Sequence, residues 1–242
     1  MTTLFVSDLH LPETASPLRD TFHAFLKGPA RTAAAVYLLG DLFEYWIGDD
    51  VGTQRYADEV NALRDLTQRG VMVYFVGGNR DFIVGREFFR DTGVQPLPDP
   101  YVADIEGVRT LLSHGDVFCT DDRGYQRWRR FSRIPNAQRA FMALPLRWRR
   151  GFGDSLRSHS QQARSYRPSD ILDVNAGAIE RAFARSAATR MIHGHTHRPC
   201  VHQLDVDGIP RERIVLADWR PDTQEYLQVE RDGYRRRQVR GA

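Results

Sequence analysis

Cysteine is almost missing: Cys119 and Cys200 are the only two in 242 residues. Two isolated thiols cannot form a disulfide framework, so both are expected reduced and packed, although a single bridge between them stays open on sequence grounds. Long apolar runs are lacking too. The longest strictly apolar stretch, Ala33 to Leu39, is far short of the ~20 residues that a membrane-spanning helix requires. A strand-like run, Thr3-Leu4-Phe5-Val6, begins almost at once. It leaves no room for a charged, cleavable secretory segment, and a cytoplasmic location is expected. Lysine is the third scarcity, since Lys27 is alone among 34 Lys and Arg residues. The formal charge is only +3, yet a planar guanidinium matches phosphate oxygens better than an ammonium does, which is compatible with a phosphate-rich substrate. Neither internal repeats nor low-complexity tracts occur. A chain of this length buries about 70 to 75% of the surface it exposes when unfolded, so one domain carrying an insertion is the default.

What is present is a strand rhythm. Thr3 to Ser7, Val36 to Leu39 and Val71 to Val76 are short aliphatic or β-branched runs, with helical patterns over Leu18 to Lys27 and Tyr56 to Gln68 between them. That is a βαβαβ pattern, which gathers the carboxyl ends of parallel strands, and the loops that follow them, on one edge. A helix over Gly85 to Thr92 closes at Gly93. A hairpin follows, Tyr101 to Ile105 and Val108 to Ser113 around Glu106-Gly107. Thr189 to Ile192, Val201 to Val206, Arg213 to Ala217, Glu225 to Glu230 and Tyr234 to Val239 complete the strands, with turns at Asp207-Gly208 and Asp232-Gly233. The expected fold class is α/β (α+β), two packed mixed sheets flanked by helices.

Just past those strand-like runs stand, in order, Asp8-Leu9-His10, Gly40-Asp41, Gly78-Asn79-Arg80-Asp81, His114-Gly115-Asp116 and His193-Gly194-His195-Thr196-His197. Each piece alone is weak: Asp-x-His occurs by chance, and Gly-Asp or Gly-Asn after a strand is ordinarily a turn. All five in order supply mixed oxygen and nitrogen ligands for two adjacent divalent ions, and such a pair activates water for attack on phosphorus. Asp41, alone at its strand tip, is the natural bridge. His193 is expected to be a hydrogen-bonded core residue, while His23, His159 and His202 fall outside the pattern. Asp81 and Asp116 either orient a neighbouring imidazole or cap the turn that follows.

These motifs resemble the calcineurin-like phosphoesterases. The resemblance implies that Asp8, His10, Asp41 and His197 hold one ion, and that Asp41, Asn79, His114 and His195 hold the other, ~3.5 to 4 Å away. It also implies a catalytic set of Asp41, Asn79, Arg80, His114 and His195. Many relatives place a histidine after the loop asparagine, where it protonates the leaving oxygen. Here the residue is Arg80, which gives up no proton at working pH. A phosphate leaving group departs without a general acid, so Arg80 points to a phosphoanhydride that it would clamp and neutralise. The longer strings Gly40 to Asp50, Gly77 to Phe82, Ser113 to Asp116 and Met191 to Pro199 look like the members of this family that hydrolyse UDP-2,3-diacylglucosamine in lipid A synthesis, a resemblance running from Thr3 to about Trp219. It implies attack at the phosphorus nearer uridine, with UMP and 2,3-diacylglucosamine 1-phosphate released and manganese as the usual ion. Substrate contacts carry over at Asn79, Arg80, Asp122, Ser160 and His195, and as positions only at Arg164 and Arg167. The alternative within the family is a phosphodiesterase or nuclease. A metal-binding module without turnover would leave a full ligand set idle.

Between Arg123 and Arg150 stand nine arginines and no acidic residue, interleaved with Tyr125, Trp128, Phe131, Phe141 and Trp148. Within the single domain 1–242, roughly residues 124–167 are expected to form a helical lid, followed by a helix from Pro168 to Arg185. Such a segment suits an anionic membrane surface, a nucleic acid, or a cover snorkelling arginines over the core. A two-chain lipid substrate favours the first, with peripheral association at the cytoplasmic face of the inner membrane and Phe141, Met142, Leu144 and Trp148 lining a slot for acyl chains. No nucleic-acid partner is expected, and the sequence does not fix the oligomeric state.

Overall fold

Thr3–Val6 (β1), Ala35–Leu39 (β2) and Met72–Val76 (β3) alternate between two buried faces rather than between core and water. Leu4, Val6, Val36, Leu38, Val73 and Phe75 face a helical layer, whereas Phe5, Tyr37, Leu39 and Val76 point the other way, onto a second sheet. Parallel strands covered on both sides read as continuous apolar runs for this reason. The computed structural model describes residues 1–153 and 173–239.

Helices Pro17–Lys27 (α1), Asp49–Arg55 (α2), Ala57–Gln68 (α3) and Arg86–Thr92 (α4) form the first layer. Ser16 caps α1 by accepting from Arg19 N at 3.4 Å, with Pro17 in the first turn, and Phe22, Phe25 and Leu26 lie on its buried face at helical spacing. Gln95–Leu97 (β4) adds an edge strand. The hairpin Tyr101–Ile105 (β5) and Val108–Ser113 (β6) opens the second sheet. Helices Arg123–Ser132 (α5), Pro135–Met142 (α6) and residues 146–153 (α7) follow. Ala176–Ser186 (α8), Arg190–His193 (β7), Cys200–Val206 (β8), Ile209–Val215 (β9), Glu225–Glu230 (β10) and Gly233–Gln238 (β11) complete the described chain.

The first sheet runs β11-β10-β1-β2-β3-β4 and the second β5-β6-β7-β9-β8. In the first, β1 to β4 are parallel and β10 and β11 antiparallel; in the second, β6, β7 and β9 are parallel with antiparallel edges. Leu112, Ile192, Ile214 and Leu216 meet Phe5, Leu39 and Leu227 between the sheets, and α8 covers the outer face through Ile179 and Phe183. Two mixed sheets flanked by helices are thus what the chain builds. The parallel strands of both sheets end on one edge.

Several local expectations need correction. The helix expected over Tyr56 to Gln68 is present as α3, with Tyr56 as its N-cap, and a further helix not expected, α2, precedes it and stops at Arg55. Residues 173–175 are not helical and α8 starts at Ala176, where Asn175 supplies the cap to Ala178 N at 3.0 Å; residues 168–172 lie outside the described residues. Strand β9 begins at Ile209, four residues before the expected Arg213, because the left-handed Asp207-Gly208 pair turns the chain in two residues. Cys119 and Cys200 are both free, and Cys200 is exposed rather than packed. No helix among the described residues is long and apolar enough to cross a membrane.

Candidate metal centre

Asp8, His10, Asp41, His195 and His197 all have left-handed backbone, with φ of 56°, 48°, 52°, 69° and 55°. That conformation costs about 1 kcal/mol or more for a residue with a Cβ, and persists only where the surroundings impose it. Loop-to-loop hydrogen bonds impose it here. Asp8 N donates to Gly40 O at 3.0 Å, His10 N to Asp41 O at 3.0 Å and Gly194 N to His114 O at 2.9 Å. The two sheets meet at Asp8, whose carbonyl accepts from Trp219 N at 3.0 Å and whose Oδ2 accepts from His195 N at 2.8 Å. Glycine permits the close approach: a Cβ at Gly40 would sit 2.7 Å from the His114 ring carbon Cγ, and one at Gly78 would overlap the Asp41 carboxylate.

Donor atoms of Asp8, His10 and His197 lie within 4.8 Å of one another, as do those of Asp8, Asp41 and His114. Asp41 offers one oxygen to each side. Its Oδ2 is 3.9 Å from His10 Nδ1 and its Oδ1 is 3.8 Å from His114 Nε2. His114 Nδ1 lies 3.0 Å from Leu39 O, an atom that only accepts, so this nitrogen carries the proton and Nε2 turns a lone pair toward Asn79 Oδ1 at 3.0 Å. With the Asn79 amide oxygen turned toward it, this nitrogen suits a cation. Burial opposes charge on His114, but Asp41, Asp8 and Asp116 outweigh it and push its pKa up to about 9. A proton fills that role when no metal does.

On the other side, His197 Nε2 stands 3.2 Å from Asp8 Oδ1 and 3.5 Å from His10 Nε2. Burial would raise the pKa of Asp8, but His197, His114 and His10 hold it well below the carboxylate range. The far nitrogen of His197, Nδ1, is 3.0 Å from Asp218 Oδ2. Burial raises Asp218 while His197 and Arg220 more than offset it, bringing the pKa down to about 2. A permanent carboxylate behind an imidazole fixes its tautomer and its aim at a metal. His195 is partly buried, and desolvation followed by repulsion from His114 brings its pKa down to about 3, leaving a neutral ring 5.0 Å from His114 between centroids. Mixed carboxylate, amide and imidazole donors, gathered before any ion arrives, fit divalent cations, with His114 giving up its proton on binding.

Arg80 leans over this cluster. Its backbone N donates to Asp41 Oδ1 at 2.9 Å, its Nη1 to Glu44 Oε1 at 2.7 Å, and its Nε is 3.7 Å from Asp41 Oδ2. Asp81 orients no imidazole and caps no helix. Its carboxylate instead accepts from the amides of Asp41, Leu42, Phe43 and Gly78 at 3.2, 2.7, 3.4 and 2.8 Å, clipping two ligand loops together. Asp116 likewise makes no side-chain cap; it receives Tyr125 and Arg129 from α5 and Arg133 from the C-cap of that helix. Asp122 caps α5 through Tyr125 N at 3.0 Å. Ser160, Arg164, Arg167 and His159 lie outside the described residues. His193 is buried with Nδ1 2.9 Å from Gly194 O and Nε2 3.1 Å from Arg213 Nη1. Sequence reasoning missed Asp218 and Glu44. Asp218 follows β9 as the other acids follow their strands, which is the one signal that could have found it.

Residues 1–199 match the family model described as calcineurin-like phosphoesterase. The chain belongs to that family, whose members work with divalent metal ions, and it carries the residues to hold them. Its curated relatives define a narrower branch. A UDP-2,3-diacylglucosamine hydrolase of Nitrosococcus oceani is 48% identical over 90% of this chain and 88% of its own length, and one of Serratia proteamaculans is 46% identical over 90% and 91%. A solved archaeal phosphodiesterase is similar at a TM-score of 0.49 and 12% identity, covering 99% of this chain and 100% of that one.

Proposed function

We propose that this chain hydrolyses the diphosphate of UDP-2,3-diacylglucosamine to UMP and 2,3-diacylglucosamine 1-phosphate, using two manganese ions. One observation carries the reading. The loop that brings Asn79 and Arg80 to the ligand cluster continues into Phe82 and Ile83, and these two residues help to wall a cavity of ≈ 940 Å³. Trp128, Phe131, Phe141 and Leu144 line the same cavity. A charged diphosphate and two acyl chains need such neighbours. A nucleic-acid strand has no use for the apolar chamber.

Asp8, His10, Asp41 and His197 would hold one ion and Asp41, Asn79, His114 and His195 the other. Bound there, the pair supplies Lewis acidity and a water of lowered pKa for in-line attack on phosphorus. Arg80 exchanges Glu44 for the diphosphate and neutralises charge on the departing phosphate. Because that phosphate is stable as an anion, Arg80 need transfer no proton. Asp122, Ser160, Arg164 and Arg167 are the further substrate positions, and His195 serves both ion and substrate.

The described part of the expected lid, residues 124–153, covers the acyl chains, and residues 154–167 lie outside the described residues. Trp148, Phe131 and Ile134 are exposed at 62%, 57% and 47% among the arginines, a mixture suited to the anionic cytoplasmic face of the inner membrane, from which the substrate is taken. Hydrolysis in oxygen-18 water, read by mass spectrometry, tests the reaction: label in UMP is expected. Label in the sugar phosphate, or cleavage of nucleic acid in place of the lipid, contradicts it.

A further inference from the structure

Tyr125 and Arg129 of helix α5 and Arg133, its C-cap, stand at four-residue spacing on one side, and all three converge on a single carboxylate. The Tyr125 hydroxyl and Arg129 Nε donate to Asp116 Oδ2, the latter at 2.9 Å, and Arg133 Nη2 lies 3.3 Å from the same oxygen. Asp116 is fully buried and follows the ligand His114 by two residues. Arg129 reaches on to Asp99 Oδ2 at 2.6 Å, and Asp99 Oδ1 accepts from Ser113 at 2.6 Å, just ahead of His114.

Arg133 does one thing more. Its Nη2 also donates to Gly78 O at 3.0 Å, and its guanidinium lies 5.2 Å from the ring centre of Phe82, a wall of the apolar cavity. Gly78 is where the ligand loops meet: it precedes Asn79, a Cβ on it would overlap the Asp41 carboxylate, and a Cβ on Gly40 would strike both the Gly78 Cα and the His114 ring. A donor fixed to this carbonyl sets the aim of Asn79.

We propose that Arg133 is a positioning residue for the metal centre, holding Gly78 and through it Asn79 only while α5 is docked on Asp116. Ion affinity and the seating of the cavity's helices are then one linked equilibrium. The proposal rests on the metal-centre reading above. Linkage is reciprocal, so whatever docking adds to ion affinity, the ion must add to docking.

The test is titration of the wild-type protein and of Arg133→Met with manganese alone, by calorimetry, alongside hydrogen exchange of the α5 amides. Wild type takes up two ions, and the second slows exchange in α5. Arg133→Met, which keeps contact with Phe82, weakens one binding step by about ten- to hundredfold, the usual effect of removing a residue that supports a metal ligand. It leaves the other step intact and abolishes the metal-dependent protection. Arg133→Lys, which keeps a charge near Asp116, recovers part of the loss. Arg130→Gln, a charge removed from the same helix outside the clasp, changes neither readout. Two unchanged steps with retained protection in Arg133→Met overturn the proposal, and so do two steps weakened alike. Failure of the wild type to bind two ions sinks the metal-centre reading and takes this inference with it.

Discussion

The strand-end loops and the α5–α7 segment are held in opposite ways. In the loops, Asp8, Asp41 and His114 are buried and His10, Asn79, His195 and His197 partly so, five of these seven lie in left-handed backbone, and main-chain hydrogen bonds stitch the loops together. In the helices, large apolar side chains stay exposed, and attachment to the body relies on a few charged contacts: Arg129 and Arg133 on Asp116, and Arg149 on Asp50 and Ile47 O. The first arrangement suits chemistry, which tolerates little displacement. The second suits a lipid that must enter and leave.

Perturbing each region separately breaks or sharpens this contrast. The largest effect is expected at Asp41, where Ala should cut UMP release by about a thousandfold or more, since both ions lose an anionic ligand. Near-native thermal unfolding would localise the loss to the site. In the helices, Ala137→Trp fills the cavity and should lower kcat/KM for the diacyl substrate by about ten- to hundredfold. Hydrolysis of a small soluble phosphodiester should hardly change. Equal losses on both substrates would erase the distinction between regions.

Asp218→Asn tests how far the rigid region extends. It should weaken manganese binding by about tenfold or more, because His197 loses the carboxylate that aims it. The same centre has a pH signature. With the metal-free pKa of His114 pushed up to about 9, an incoming ion must displace its proton at neutral pH. Affinity should therefore fall about tenfold for each pH unit below 9, with proton release visible as a buffer-dependent heat of binding. The smallest effect is expected from Trp148→Ser. Stability should move by no more than about 0.5 kcal/mol, while recovery on anionic liposomes at low salt should drop.

The motifs that converge at the strand ends are legible in the sequence because each is local: a short apolar run followed by Asp, Asn or His at close spacing. What holds those residues is not. The left-handed backbone at Asp8 and His195 results from contacts between loops remote in sequence, and Asp218 carries no motif around it. Asp116 was noticed as an acid beside a ligand. Its partners are a face of α5, seen only once the helix is docked. Helix α2 escaped notice because it contains Gly52, yet that glycine is required there, since a Cβ would strike the Trp46 ring at 2.5 Å. Strand β4 was hidden by Pro96, tolerated because the strand lies at a sheet edge.

Two ions bound among loops from both sheets are what turnover requires. Anomalous diffraction from crystals grown with manganese tests this most directly. Two peaks about 3.5 to 4 Å apart, flanking Asp41, are predicted. A single peak, or peaks away from Asp8, Asp41 and His114, would contradict it.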